Sequence, residues 1–345
     1  MSTDATSLEQ KRLDEALCIN KSVFEEDIDK TVYETKHYGN PYRLNESFSI
    51  SYEDEKAVGV AAFLGMRLIN KNESIPIYQC LDVSVLEAYQ GRGHFSKVIK
   101  AFGDHDNGGR FIIGLPNHNS FPRFLKIEYT NPLWLCHFLY FTAPFSFVFG
   151  NKAIAKALDR FYGLFLFLKE RKSSSEYDIT LYEGMDEIPV TDEEIADIYS
   201  DSECHFLHDE KIYRWKQAYN PELKFYWAVL RKKDGTLLGY ALCHLRSRMN
   251  GTFVIIDDHA AVGSPADKTN TMKILLSCLS KLGNITEIPF VNENVDGKLI
   301  RSLHFINGYK LPFKHLGSPL ILSPDCGYAD EMLNCSFRNI DSDVI

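Results

Sequence analysis

Residues 79–102 read QCLDVSVLEAYQGRGHFSKVIKAF, and two kinds of order meet inside them. From Gln79 to Val85 the residues alternate, Leu81, Val83 and Val85 to one side and Cys80, Asp82 and Ser84 to the other, which is the period of a strand. Gln90-Gly91-Arg92-Gly93 breaks that pattern, and Phe95, Val98 and Ile99 then fall on the apolar face of a helix that begins at once. A glycine-rich turn opening a helix leaves backbone N–H groups unpaired and aimed outward. With the positive end of the helix dipole they make an anion site suited to a pyrophosphate. Glycine is required there because a Cβ would block close approach of the phosphate. A plain strand-to-helix turn would use the same letters.

The pattern around this segment occurs twice. Asn40-Pro41 recurs as Asn220-Pro221, Gly59 in AVGVAAF as Gly239 in LLGYALC, and Tyr129 as Tyr309, each pair 180 residues apart. Each half reads as a helix, an N-P turn, a strand, a charged turn and a second strand entered through glycine. A further strand, a helix, another strand and a short helix follow. Three pairs at one offset, in matching contexts, predict a duplicated α+β domain. The charged, serine-rich stretch 169–178, KERKSSSEYD, reads as the linker, giving domains over 1–168 and 179–345.

A length of 345 residues suits two domains. With 45% hydrophobic and 25% charged residues the chain is neither disordered nor a coiled coil. Its net charge of -9 argues against a nucleic-acid partner, which needs a net basic face, and none is expected. Eight cysteines without a C-x-x-C pair point to neither a disulfide scaffold nor a zinc site, and no metal is expected. The start, MSTDATSLEQKRLDEAL, is polar and lacks an apolar signal core, so a cytoplasmic protein is expected. One run, residues 129–151, departs from the rest: between Glu128 and Lys152 there is no charge, and LWLCHFLYFTAPFSFVFG has the 18 residues of a short membrane helix. Pro144, His137 and Thr142 interrupt it, so the expected reading is a buried strand followed by a core helix. No transmembrane segment is expected, while peripheral membrane contact and lining for a greasy substrate stay open.

The glycine loop resembles the pyrophosphate-binding loop of the GNAT superfamily of acyl-CoA-dependent N-acyltransferases, Gln/Arg-x-x-Gly-x-Gly/Ala. Gln90 and Gly93 match, and Phe95 departs at the last position. That departure is similar to a bacterial tandem-domain subgroup with Gln-x-x-Asp before the loop and Gly-x-Phe after it, here Gln79, Asp82, Gly93 and Phe95. GLPNHNSFPRFLKIEY, residues 114–129, resembles the subgroup's Gly-Phe-Pro-Asn-x-Asn-Ser-Tyr-Pro-x-Phe through Gly114, Pro116, Asn117, Asn119, Ser120, Pro122 and Phe124. The resemblance covers residues from about 30 to 130; the second half is similar in outline only.

The resemblance implies an α+β protein of two tandem GNAT-like domains, each a mixed, mostly antiparallel sheet flanked by helices. It implies acetyl-CoA, or another acyl-CoA, as co-substrate, and acyl transfer to a primary amine. The acceptor would be a small molecule, an amino sugar of a cell-surface polysaccharide pathway being the first expectation. Gln90, Gly91, Arg92, Gly93, His94 and Phe95 would hold the pyrophosphate. A backbone N–H near Ser84 or Val85 would meet the thioester oxygen, and Asn117 and Asn119 would bond the amides of the pantetheine arm. For the proton acceptor the candidates are Asp82, whose burial would raise its pKa, then Glu87, then His304 from the second half. Three of these site residues have a structural alternative: Asp82 as a carboxylate fixing a loop, Glu87 as a solvated loop residue, Asn117 as a turn former. Ser120 reads as a helix N-cap.

Several positions depart from the family pattern. Phe124 stands where many members place a tyrosine that can protonate the departing thiolate. Glu128 stands where glycine usually precedes an aromatic. The second half keeps Gly308-Tyr309 but has HAAVGSPADKTNTM at the loop position, where Gly263 alone cannot form the nest. CoA is therefore expected in the first half only. Asp257-Asp258-His259 could hold a metal or a cation, yet no further ligand stands at regular spacing. A non-catalytic GNAT-like binding protein is the alternative. Aminoacyl transfer from tRNA, a third reading, conflicts with the CoA-type loop and the acidic charge.

Overall fold

The structure is a computed structural model and describes residues 3–43, 46–71, 73–103, 111–150, 152–170, 176–184, 186–200, 204–248, 251–303, 306–307, 317–324, 328–338 and 340. The first series of elements is α1 (Thr3–Phe24), α2 (Lys30–Tyr38), β1 (Phe48–Glu53), β2 (Lys56–Asn70), β3 (Glu73–Val85), α3 (His94–Gly103), β4 (Ile112–Gly114), α4 (Phe121–Leu125) and β5 (Thr130–Phe141). Then come α5 (Pro144–Phe149), α6 (Ala153–Glu170) and β6 (Tyr177–Glu183). The second series is α7 (Asp192–Tyr199), β7 (Cys204–Phe206), α8 (Glu210–Ala218), β8 (Phe225–Lys232), β9 (Leu237–Arg248), β10 (Gly251–Ala261), α9 (Pro265–Leu279), β11 (Ile285–Val291), α10 (Gly297–Ser302) and β12 (Ile306–Asn307). The last elements are β13 (Gly317–Leu322) and α11 (Ala329–Leu333).

Both series share one plan. Helix α8 begins and ends 180 residues after α2. An antiparallel meander follows each, β1–β3 and β8–β10, then a helix, then a strand parallel to the last of the meander. Gly59 pairs with Val85 at the end of β3, and Gly239 pairs with Ala261 at the end of β10. The charged hairpin turns differ in means: Asp54 and Glu55 adopt φ of 49° and 65°, whereas Gly235, at 90°, serves the other. Tyr309, the third partner in the sequence repeat, lies outside the described residues.

Contacts divide the chain into two compact units, 1–134 with 211–220 and 318–333, and the remainder. This corrects the boundary expected at 169–178, and the reason is strand pairing. The later residues of β5 pair with β11, Cys136 with Val291 and Leu139 with Glu287, so the break falls inside β5. In the first unit β13 pairs antiparallel with β4, Ile321 opposite Gly114. Helix α8 also joins this unit, Trp215 Nε1 donating to the carbonyls of Thr35 and Lys36 at 3.1 Å each. Residues 171–175 of the expected linker lie outside the described residues.

In the first unit the sheet is covered on both faces. Val98, Ile99 and Phe102 of α3 pack on Phe63, Tyr78 and Ile112, while Leu13, Ala16 and Tyr33 of α1 and α2 pack on Phe48, Val60 and Ala62. The second unit repeats one layer, with Met272, Leu275 and Leu279 of α9 on Ala228, Ala241 and Val254. The charge-free run becomes β5 and α5, and no described helix is long and apolar enough to cross a membrane. The expectation of an interior position holds for Leu135, Phe138 and Leu139 but not for Val148 and Phe149, which are exposed.

Candidate functional site

The site begins where two parallel strands part. Strands β3 and β4 pair at Tyr78–Ile112, Gln79–Ile113 and Cys80–Gly114, and there β4 ends. Leu115 and Pro116 follow, and proline cannot extend a ladder. Strand β3 runs on to Val85, so from Leu81 its β4-side edge pairs with no described strand. Ser84 on this stretch is buried, and its hydroxyl has no described hydrogen-bond partner.

A β-bulge re-aims the stretch. Val60 pairs with Ser84 but Ala62 with Leu81, so Asp82 and Val83 together oppose Ala61. Asp82 takes the left-handed φ of 49° to make it. The strict alternation expected from the sequence is therefore broken: Val83 packs with Cys80 on the α3 side, and Leu81 packs on the α1–α2 side.

After a short 3-10 turn at Glu87–Tyr89 comes the glycine loop. Gly91 and Gly93 adopt φ of 78° and 85°, and a Cβ at either would meet nothing within 4 Å. That open space lies in front of the backbone and fits a pyrophosphate cradle. Lys97 N donates to Gly93 O, so the N–H groups of His94, Phe95 and Ser96 precede the first intrahelical bond and carry the positive end of α3. Around them the side chains are fixed locally. Gln90 Nε2 donates to Val85 O at 3.2 Å. Arg92 bonds Glu53 and the carbonyl of Ala88, its guanidinium 5.1 Å from the centre of the Tyr89 ring. His94 turns its buried ring inward, Nε2 lying 3.0 Å from Glu53 Oε2. The bond from His94, helped by the charge of Arg92 against the cost of burial, holds the Glu53 carboxyl below its usual range. His94 is thus available to a ligand through its backbone rather than its ring.

Beyond β4, Asn117 Oδ1 accepts from the N–H groups of Asn119 and Ser120 at 3.0 Å each and from Ser120 Oγ at 3.1 Å. The turn-forming role is the one the geometry realises, and Ser120 makes no side-chain cap. Asn119 and the Asn117 amide nitrogen remain on the exposed side of the loop. Phe124 is buried with Phe95 and Tyr129 around it, at ring separations of 5.0 and 5.2 Å. Burial drives the Tyr129 hydroxyl well above its ordinary pKa. Glu128 adopts φ of 71°, the conformation that suits the family's glycine.

The proton acceptors fare unequally. Asp82 Oδ2 lies 2.9 Å from Lys36 Nζ and 3.6 Å from His37 Nε2. Burial alone would raise its pKa, as expected from the sequence, but the charge of Lys36 and the bond and charge of His37 outweigh it and hold the carboxyl well below the usual range. This corrects the expectation of a raised pKa. Glu87 is exposed beside the loop. His304 and Gly308 lie outside the described residues. The sequence reading missed Lys36 and His37, and no local signal marks them, since they stand 46 and 45 residues from Asp82.

The matching helix of the second series is closed by its own side chains. Ser264 Oγ accepts from Asp267 N, while Asp267 Oδ2 accepts from Ser264 N at 3.2 Å and from Ser264 Oγ at 2.7 Å. A carboxylate thus already sits where an anion would bind. The S-x-x-D spacing could have announced this capping box. Asp257 pairs with His244 at 2.8 Å and Asp258 with His208 at 3.0 Å and Tyr240 at 2.9 Å, all buried. Among the described residues no group of three or more His, Cys, Asp or Glu is arranged to hold a metal ion.

No protein-family model matches the sequence, and no curated protein is similar to it in sequence. Solved structures are similar in fold. A GCN5-related N-acetyltransferase from Anabaena variabilis superposes with a TM-score of 0.60 at 12% identity, over 91% of this chain and 70% of that one. A conserved protein from Enterococcus faecalis gives 0.59 at 11% over 91% and 70%. A GCN5-related N-acetyltransferase from Kribbella flavida gives 0.56 at 13% over 91% and 68%. Splayed parallel strands, a bulged third strand and a glycine loop opening a helix stand together here on the fold of the GCN5-related N-acetyltransferases.

Proposed function

We propose that the chain is an acyl-CoA-dependent N-acyltransferase, with acetyl-CoA as co-substrate bound in the first unit only. The observation that carries this reading is the loop of Gly91 and Gly93, open in front of both α-carbons at the start of α3, beside a β3 edge that no described strand covers. When bound, the co-substrate supplies an acyl thioester, whose C–S bond breaks as the amine nitrogen bonds the acyl carbon. The N–H groups of residues 91–96 bind the pyrophosphate. The bulged edge near Ser84 and Val85 offers N–H groups to the thioester oxygen, and Asn119 with the amide nitrogen of Asn117 bonds the arm. Ionised Asp82, locked to Lys36, is a weak base and acts as a positioning residue that holds the bulge. The amine proton passes to Glu87, or to water. The acceptor is a small primary amine; an amino sugar of a cell-surface polysaccharide pathway rests on the tandem-subgroup resemblance alone.

Titration of acetyl-CoA by calorimetry tests the reading. One equivalent should bind per chain, and Gly93→Asp should weaken binding at least ~100-fold, because it places a carboxylate at the anion site. The added side chain meets open space, so folding loses only the left-handed strain of about 1–2 kcal/mol. Unchanged affinity would remove the cofactor site from this loop. The buried Phe124, which has no hydroxyl, favours a second reading, a non-catalytic binding protein. Acetyl-CoA binding without turnover across a panel of amines supports that one.

A further inference from the structure

Helix α6 turns one face inward and leaves an apolar face bare. Ala155, Asp159, Tyr162 and Gly163 recur at helical spacing and are buried or half-buried, and Asp159 accepts from the N–H groups of Phe145 and Ser146 at 2.9 and 2.8 Å, tying α5 down. The opposite stripe is bare. Ile154 is 77% exposed, Leu158 41%, Phe161 74% and Leu164 56%, and at the end of α5 Val148 and Phe149 are 65% and 57% exposed. Six of the fifteen large apolar side chains that are exposed among the described residues thus fall within seventeen positions. A soluble surface does not concentrate them in this way without a partner.

Charge says which partner. In a chain of net charge -9, residues 144–172 carry six lysines and arginines against two carboxylates, and one of these, Asp159, is turned to α5. Lys156 and Arg160, both exposed, border the bare stripe on one side at helical spacing. An apolar stripe edged by cations is the pattern of a helix lying in the boundary of an anionic membrane, side chains among the acyl chains and cations at the phosphates. We propose that α5 and α6 dock the protein on the surface of an anionic lipid bilayer. The charges at Lys156, Asp159 and Arg160 set the mode: α6 lies along the surface and does not span it.

The full chain is mixed with vesicles of phosphatidylcholine alone or with about one-third phosphatidylglycerol, at low and high salt, and sedimented. Preference for the anionic vesicles by roughly tenfold or more, weakening as salt shortens the screening length, is expected. Lys156→Glu with Arg160→Glu should erase the preference, and Ile154→Ser with Phe161→Ser should lower binding to either vesicle about tenfold. All four residues are exposed, so melting temperatures should match wild type, which separates lost docking from lost folding. Failure to sediment with either vesicle, or equal binding to both, overturns the proposal. So does an oligomer that Ile154→Ser with Phe161→Ser splits into monomers without affecting lipid binding, since the stripe would then belong to a second copy.

Discussion

Asp82 combines a left-handed φ, a bulge and an ion pair in one residue. Its folded pKa is depressed, so the pair stabilises the protein fully above the unfolded value near ~3.9 and is lost as pH falls below it. Asp82→Asn leaves Lys36 with one charged partner fewer and should cost roughly 1–3 kcal/mol in denaturant unfolding at neutral pH. Because Asp82 is already ionised across the working range, the acidic limb of kcat/KM should survive the substitution. A vanished limb with unchanged stability would make Asp82 the base after all. At this scale the sequence was half readable. The motif that singles out Asp82 is local, whereas Lys36 reaches it only through the packing of α2, and that contact reverses the pKa. Asn117 shows the opposite case: its turn-forming role follows from short-range geometry, and the alternative named from the sequence is the one found.

Strands β7 and β10 show what an element can hide. His259 on β10 and His205 on β7 are each lowered to about 4, burial being the main cause and the charge of Arg338 adding to it. His208 also opposes protonation of His205, while Asp258 and Asp296 partly favour it at His259. Between pH ~6.5 and 4 the unfolded chain therefore binds more protons than the folded one, and stability, level above that window, falls through it. Melting temperatures measured at intervals from pH 7 to 4.5 should fall steeply for wild type and more gently for His205→Asn with His259→Gln. Parallel curves would refute the assignment. Elements themselves were largely legible, because helix α3, the hairpins and the N-P turns depend on near-neighbour pattern, and the repeat of α2 in α8 kept its offset. The bulge on β3 was not, since nothing in the residue type of Asp82 demands a positive φ.

At the level of the molecule, the two-fold plan could be read and the allotment of segments could not. Strand β13 completes the first unit: Ile321 is buried in its core, Leu320 O accepts from Asn131 Nδ2 at 2.7 Å, and Ser323 Oγ accepts from Ile112 N at 3.1 Å. Such long-range pairing leaves no trace in local periodicity, which is why a cut after residue 168 looked natural. The chain ended at residue 168 should melt well below the full-length protein or aggregate, and a peptide of residues 317–333 added in trans should recover part of the loss. A fragment 1–168 as stable as the whole would show that β13 is dispensable. The same pairing bears on biosynthesis. Roughly 200 residues separate β4 from β13, so at ~5–20 residues per second a ribosome needs about 10–40 s to supply the missing strand. For that interval the nascent first unit shows an open sheet edge of the kind that invites aggregation. Its maturation is timed by the arrival of β13 rather than by its own emergence.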